Sequence, residues 1–238
     1  MVSLKILILF CGIGGNRKYW KGHEIHSVDN QENILDAYKE IFPNDITILD
    51  DAYNYLLEHY TEYDFIWASP PCQSHSRFIR SGRNRKSRFP DLRIYEVILF
   101  LQHNFKGKWV VENVIPYYTP LIPGKVIGRH MFWSNFKISN FEEIKQPKGF
   151  IDLCNVDGSK KLKEWLGLSY TGNLYYGKNH DPCQILRNCV HPKLGKHVFE
   201  CAIMRKPEVT QCTLSQNNLK EDGIPPTIEI VGILPKRL

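Results

Sequence analysis

The stretch SPPCQSHS, residues 69–76, sets one cysteine behind two prolines and ahead of a loop dense in arginine. Pro70 and Pro71 fix the local backbone and favour an extended approach, so they present Cys72 at a defined place. A structural cysteine lies more often inside an apolar run. Arginines and His75 nearby favour the thiolate, the nucleophilic form. Between Arg77 and Arg88 six of twelve residues are Arg or Lys and none is acidic. That density suits phosphates, although the bland reading of a charge run is a solvated surface loop.

Two other stretches carry chemistry. In FCGIGG, residues 10–15, Gly12, Gly14 and Gly15 let the backbone turn tightly and approach a ligand. The spacing is not that of the dinucleotide G-x-G-x-x-G turn. Fourteen residues after Gly15, Asp29 in SVDN stands where an acid would accept hydrogen bonds from a ribose diol, so the pair reads as a nucleoside-type cofactor site. In KWVVENV, Glu112 and Asn113 close an apolar run, and a semi-buried Glu, once protonated, can donate to a ring nitrogen. Taken alone, Glu112 reads more readily as a capping or loop carboxylate than as a catalytic one.

These residues need a scaffold that brings distant segments together. LKILILF (4–10), DFIWA (64–68) and KWVVENV (108–114) read as buried strands. QENILDAYKEIF (31–42) and DLRIYEVILFLQH (91–103) carry apolar residues at helical spacing, among them Ile34, Ala37, Tyr38, Leu92, Tyr95 and Ile98. The alternation predicts a parallel sheet with crossover helices, whose ligands sit beyond the carboxyl ends of the strands. Each loaded stretch follows such an end, so Glu112 is expected near Cys72 despite the forty positions between them. Beyond Phe136 the periodicity weakens. Residues 137–187 read as a short irregular region, 192–203 as a helix, and IEIVGIL near the end as a strand.

Length and composition agree. The 238 residues suffice for one α/β domain plus an appendage, with 42% hydrophobic and 24% charged residues. No apolar run of bilayer-spanning length occurs, so neither a membrane span nor a membrane partner is expected. Seven cysteines without regular spacing argue against a disulfide framework and for a reducing cytoplasm. His180, Cys183, Cys189 and His191 match no common zinc spacing, and no metal is expected. A net charge of +6 is compatible with an acidic partner.

In this order the three stretches resemble the DNA (cytosine-5) methyltransferases: FCGIGG their cofactor turn, PPCQSHS their Pro-Cys-Gln motif, ENV (112–114) their Glu-Asn-Val motif. The resemblance is close over 4–136 and loose over 187–203, where Asn188 and Val190 match an Asn-x-Val core. It implies a Rossmann-like S-adenosylmethionine-dependent methyltransferase fold, a mostly parallel sheet with helices on both faces, plus a small irregular subdomain. Residues 1–136 would form the catalytic and cofactor-binding core, 137–187 a short target-recognition region, and 188–238 the return to the core and a tail. S-adenosylmethionine would be held by Phe10, Gly12, Ile13, Gly14, Gly15, Asp29, Asn30, Asp50 or Asp51, Pro70, Asn188 and Val190.

The reaction implied is methyl transfer to carbon 5 of a cytosine flipped out of double-stranded DNA, in a restriction-modification, phage-borne or stand-alone setting. Cys72 would be the nucleophile, Glu112 the group at ring nitrogen 3, and Arg129 the holder of the ring carbonyl. Gln73, Ser76, Arg77, Arg80, Arg83, Arg85, Lys86 and Arg88 would grip the strand as a lid. The sequence also departs from the family. VIGRHMFWSNF offers only Arg129, then His130, where Gln-x-Arg-x-Arg is expected, and some fifty residues are left for target recognition. A partner chain that completes target reading, an RNA cytosine substrate, or a catalytically inactive DNA-binding subunit are the alternatives.

Overall fold

The computed structural model describes residues 2–77, 89–142, 144–175 and 180–203. Among the described residues seven strands form one sheet: β1 (Lys5–Leu9), β2 (Glu24–Asp29), β3 (Ile46–Leu49), β4 (Phe65–Ala68), β5 (Lys108–Val114), β6 (Lys125–Ile127) and β7 (His130–Ser134). Their spatial order is β3-β2-β1-β4-β5-β7-β6. The first five run parallel, and β7 is antiparallel to both its neighbours. The helices are α1 (Glu32–Ile41), α2 (Ala52–His59), α3 (Arg93–Asn104), α4 (Val156–Leu166), α5 (Gln184–Asn188) and α6 (Pro192–Ile203). This is the mostly parallel α/β sheet, covered on both faces, that the alternating pattern predicts. Among the described residues no helix is long and apolar enough to cross a membrane.

The strands are apolar almost throughout because both faces of the sheet are buried. Alternate β1 residues serve opposite cores. Ile6 and Ile8 join residues of α1, α4, α5 and α6, whereas Leu7 and Leu9 join residues of α2 and α3. Burying a side chain of this size contributes about 1.5–3 kcal/mol, so the two apolar layers set the sheet's position between the helices.

Register then decides what meets at the sheet's edge. Leu9 pairs with Val28 and Ala68, and Ala68 pairs with Val111. The residues that follow, Phe10, Asp29, Ser69 and Glu112, therefore emerge at one level on the carboxyl side. Chain order reverses between β1 and β4, which opens the crevice where ligands of such sheets bind.

Within 137–187, residues 144–175 are more ordered than their composition implies. Asn155 caps α4 by accepting from the Gly158 amide, and Gly167 ends it in the left-handed region at φ 60°. Phe150, Leu162, Leu166, Leu168, Tyr170 and Leu174 belong to the same apolar cluster as Ile6 and Ile8. At α6, a Cβ on Gly195 would stand 2.3 Å from the Asn16 carbonyl oxygen. Only glycine lets this helix lie so close to the turn after β1. The strand expected at IEIVGIL falls outside the described residues.

Candidate active site

At the switch point lies a cavity of about 430 Å³ whose walls come from the carboxyl ends of β1, β2, β4 and β5 and from the α5–α6 junction. Of the residues anticipated from sequence, Phe10, Gly12, Ile13, Gly15, Asp29, Asn30, Asp51, Pro70, Cys72, Gln73, Glu112, Arg129, Asn188 and Val190 line it. Gly14 lies behind the turn, where a Cβ would stand 2.6 Å from the rings of Tyr38 and Phe42. Asp50 is exposed outside the cavity, its carboxylate accepting from the Asp51 amide at 2.7 Å. Ser76 pairs with Pro116 in an isolated bridge and Arg77 is exposed, and neither lines the cavity. Arg80, Arg83, Arg85, Lys86 and Arg88 lie outside the described residues.

The β1 side has the form of a nucleoside site. Phe10 adopts φ 56°, a conformation costly for a bulky residue, and its ring meets Tyr53 edge-on at 4.8 Å. The Gly12 amide donates to Asp29 Oδ2 at 3.1 Å and the Gln31 amide to Oδ1 at 3.2 Å. A carboxylate has about four lone-pair sites, so Asp29 keeps acceptor capacity for a ligand hydroxyl. Burial raises the Asp29 pKa, and the hydrogen bonds from the Gly12, Gln31 and Asn30 amides oppose that rise. A Cβ on Gly12 would meet nothing within 4 Å, so the space above the turn is open. Asn16 lines the cavity, and its Nδ2 is buried without a partner among the described residues. Asp51 accepts from the Tyr53 and Asn54 amides as the cap of α2 and also faces the cavity. An acid for a diol, an aromatic pair and an unpartnered amide suit S-adenosylmethionine.

The β4 side holds Cys72. Asn113, 2% exposed, donates from Nδ2 to the Pro70 carbonyl at 2.8 Å. The Cys72 carbonyl accepts from the amides of His75 and Ser76, closing the turn behind the thiol. Burial, and then the Glu112 carboxylate, push the thiol up to about 11, while Arg129 acts the other way. This corrects the expectation of a thiolate favoured by neighbouring cations. His75 is buried, bonds Tyr118 Oη through Nδ1 at 2.7 Å, and has its pKa lowered by that burial, so it lends the thiol no charge.

Glu112 is 5% exposed and accepts on both oxygens, from Ser69 Oγ at 2.9 Å and from His130 Nδ1 at 2.6 Å. Arg129 donates to the Cys189 carbonyl at 2.9 Å and lies over the Phe150 ring at 5.0 Å. It thereby braces both the α5–α6 junction and the 137–187 region against the cavity. Sequence reasoning overlooked Ser69, Asn16, Tyr53 and Arg93, all of which line the cavity. It also gave His130 no role. Only strand pairing exposes that residue, whereas Ser69 stands beside the Pro-Pro-Cys stretch and could have been weighed with it.

Residues 4–115 match the family model described as C-5 cytosine-specific DNA methylase. Among solved structures, the fold is similar to the methyltransferase EhMeth of Entamoeba histolytica, with 13% identity and a TM-score of 0.50 over 85% of this chain and 98% of that one. A DNMT2 mutant from Spodoptera frugiperda is 28% identical over 47% of this chain and 36% of its own, with a TM-score of 0.33. A prophage-encoded chain from E. coli, described as a DNA modification methyltransferase, is 21% identical over 49% of this chain and 34% of its own, with a TM-score of 0.34. A search of curated proteins found no match. Over residues 4–115, just under half of its length, the chain is thus similar to the C-5 cytosine-specific DNA methylases, methyltransferases whose cofactor is S-adenosylmethionine.

Proposed function

We propose that the protein methylates carbon 5 of a cytosine flipped out of double-stranded DNA, through a covalent bond between Cys72 and carbon 6. One observation carries this reading: sheet register puts Cys72 and Glu112 on the wall of the cavity that also contains Asp29 and the Gly12 turn.

Carbon 5 of cytosine is a poor nucleophile. As the Cys72 sulfur bonds to carbon 6, its S–H bond breaks and the carbon 5–carbon 6 π pair becomes an enamine centred on carbon 5. The thiol proton moves by way of the Glu112 carboxylate to ring nitrogen 3, so no net charge builds on the ring. A proton transfer of this kind contributes on the order of 10²–10⁴-fold. Bound S-adenosylmethionine supplies an electrophilic methyl group, for which the activated carbon 5 is the acceptor. The carbon-5 proton is then lost to a base, the carbon 6–sulfur bond breaks with its electron pair returning to sulfur, and the proton on ring nitrogen 3 returns by way of Glu112 to Cys72. Arg129 has five N–H donors. One nitrogen serves Cys189, and the rest of the fork is available to the cytosine carbonyl.

A thiol kept protonated until the base arrives suits a cytoplasmic enzyme that meets other electrophiles between turnovers. Unstacking the target costs a few kcal/mol, and basic residues 77–88 gripping the strand would offset it. Residues 137–187 spend much of their apolar content on the shared core. We therefore assign target reading to Gln73, the 76–89 loop and a partner chain, in a restriction-modification or phage-borne setting.

Incubation with methyl-labelled S-adenosylmethionine and either mixed-sequence duplex DNA or tRNA tests the substrate. Label in DNA at carbon 5 of cytosine is expected. Label confined to tRNA overturns the DNA assignment in favour of RNA.

A further inference from the structure

We infer that His130 is a positioning residue for Glu112: together with Ser69 it holds both carboxylate oxygens, so that the carboxyl meets the cytosine ring in one orientation. The inference rests on the reaction proposed above and extends it to a residue outside the reacting groups.

The hydrogen-bond directions follow from a chain of donors. Trp67 Nε1 donates to Ser69 Oγ at 2.9 Å, so the hydroxyl hydrogen of Ser69 is free to go to Glu112 Oε2. Glu112 Oε1 lies 2.6 Å from His130 Nδ1, and a carboxylate can only accept, which puts the imidazole hydrogen on Nδ1. Hydrogen bonds to an ionised acceptor are shorter and stronger than neutral ones, and 2.6 Å is at the short extreme for a nitrogen donor. Both side chains of the pair are 7% exposed, so water does not compete.

The sheet itself sets the pair. Glu112 opposes Phe132 and Val114 opposes His130 in the antiparallel ladder, which makes Glu112 and His130 diagonal neighbours on one face. The terminal torsion of a glutamate is broad, so a carboxyl held at one oxygen can still swing. Holding both oxygens removes that freedom. Among the described residues Arg129, the adjacent cation, donates to the Cys189 carbonyl and not to Glu112, so the bond at Oε1 falls to His130.

The test compares His130→Ala, His130→Asn and Ser69→Ala with the wild type, using labelled methyl transfer to mixed-sequence duplex DNA. Melting temperature and calorimetric cofactor binding are measured alongside. His130→Ala should lower kcat on the order of 10²-fold, the cost of a misplaced reacting group, with KM for DNA and cofactor affinity nearly unchanged. His130→Asn, whose amide restores a donor near the Nδ1 position, should recover most of that loss. Wild-type kcat in His130→Ala overturns the inference. So does an equal loss in the Asn and Ala variants, or a loss that falls on KM. If His130→Ala does not fold, Ser69→Ala and His130→Asn decide: a kcat defect in Ser69→Ala that spares KM supports the clamp, and unchanged kcat in both overturns it. A wild type that methylates no cytosine in DNA or RNA sinks the underlying reaction as well, whereas an active wild type with indifferent variants sinks only the clamp.

Discussion

The Asn113 amide donates to the Pro70 carbonyl at 2.8 Å across the gap between β5 and the chain leaving β4, at a site 2% exposed. It is the direct link between the strand that carries Glu112 and the prolines that carry Cys72. Asn113→Ala leaves that carbonyl buried without a partner, at a cost of about 1–3 kcal/mol in stability. The Pro-Pro-Cys segment also loses its tether. The variant should therefore melt earlier and transfer methyl groups more slowly, with cofactor affinity kept, as calorimetry and labelled turnover would show.

A second prediction concerns how the late segment docks on the cofactor turn. A Cβ at Gly15 would stand 2.6 Å from the Val190 carbonyl oxygen and 3.0 Å from Cys189 Cβ. A backbone carbonyl cannot swing aside as a side-chain end can, so Gly15→Ala must displace the 189–190 segment or the turn. Overpacking of this kind costs about 1–3 kcal/mol. Because both segments line the cavity, the variant should bind S-adenosylmethionine more weakly in calorimetry as well as melt earlier.

Thiol reactivity in the resting protein has a defined pH dependence. Burial and Glu112 hold Cys72 up to about 11, against an ordinary value of 9.0. Iodoacetamide reacts with the thiolate, so alkylation of Cys72, followed by peptide mapping, should be slow at pH 9 and rise toward 11. In that window the unfolded chain releases the proton while the folded chain keeps it, so this group makes stability fall as pH rises. Glu112→Gln removes the neighbouring carboxylate and should shift the alkylation profile to lower pH. An unshifted profile would show that burial alone sets it.

The parts legible in the sequence are those whose signal is local. β1, β4 and β5 are apolar runs ending in punctuation, and α1, α3 and α6 carry helical periodicity, so their bounds agree with expectation within a few residues. β3 and β6 are four and three residues long, too short for a period to register. Asp51 and Asn155 are helix caps that could have revealed α2 and α4. Asp51 reads instead as a cofactor ligand, and the interval from Asn155 to Gly167 lies in a stretch whose mixed composition masks the helix. At the site, motif residues were legible because their types and order carry the chemistry. The Glu112–His130 pair was not, because it depends on the register of β7 against β5. The thiolate expected at Cys72 failed for a similar reason: proximity in sequence to Arg and His carries no information about burial.

The central claim is the bond between Cys72 and cytosine carbon 6, and a mechanism-based trap measures it directly. With 5-fluorocytosine in mixed-sequence duplex DNA, carbon 5 carries a fluorine that cannot leave as a proton, so the adduct accumulates. The wild type with S-adenosylmethionine should give a complex that survives denaturing electrophoresis and maps by mass spectrometry to Cys72, and Cys72→Ser should give none. No complex from the wild type, or a complex that persists in Cys72→Ser, would contradict the account.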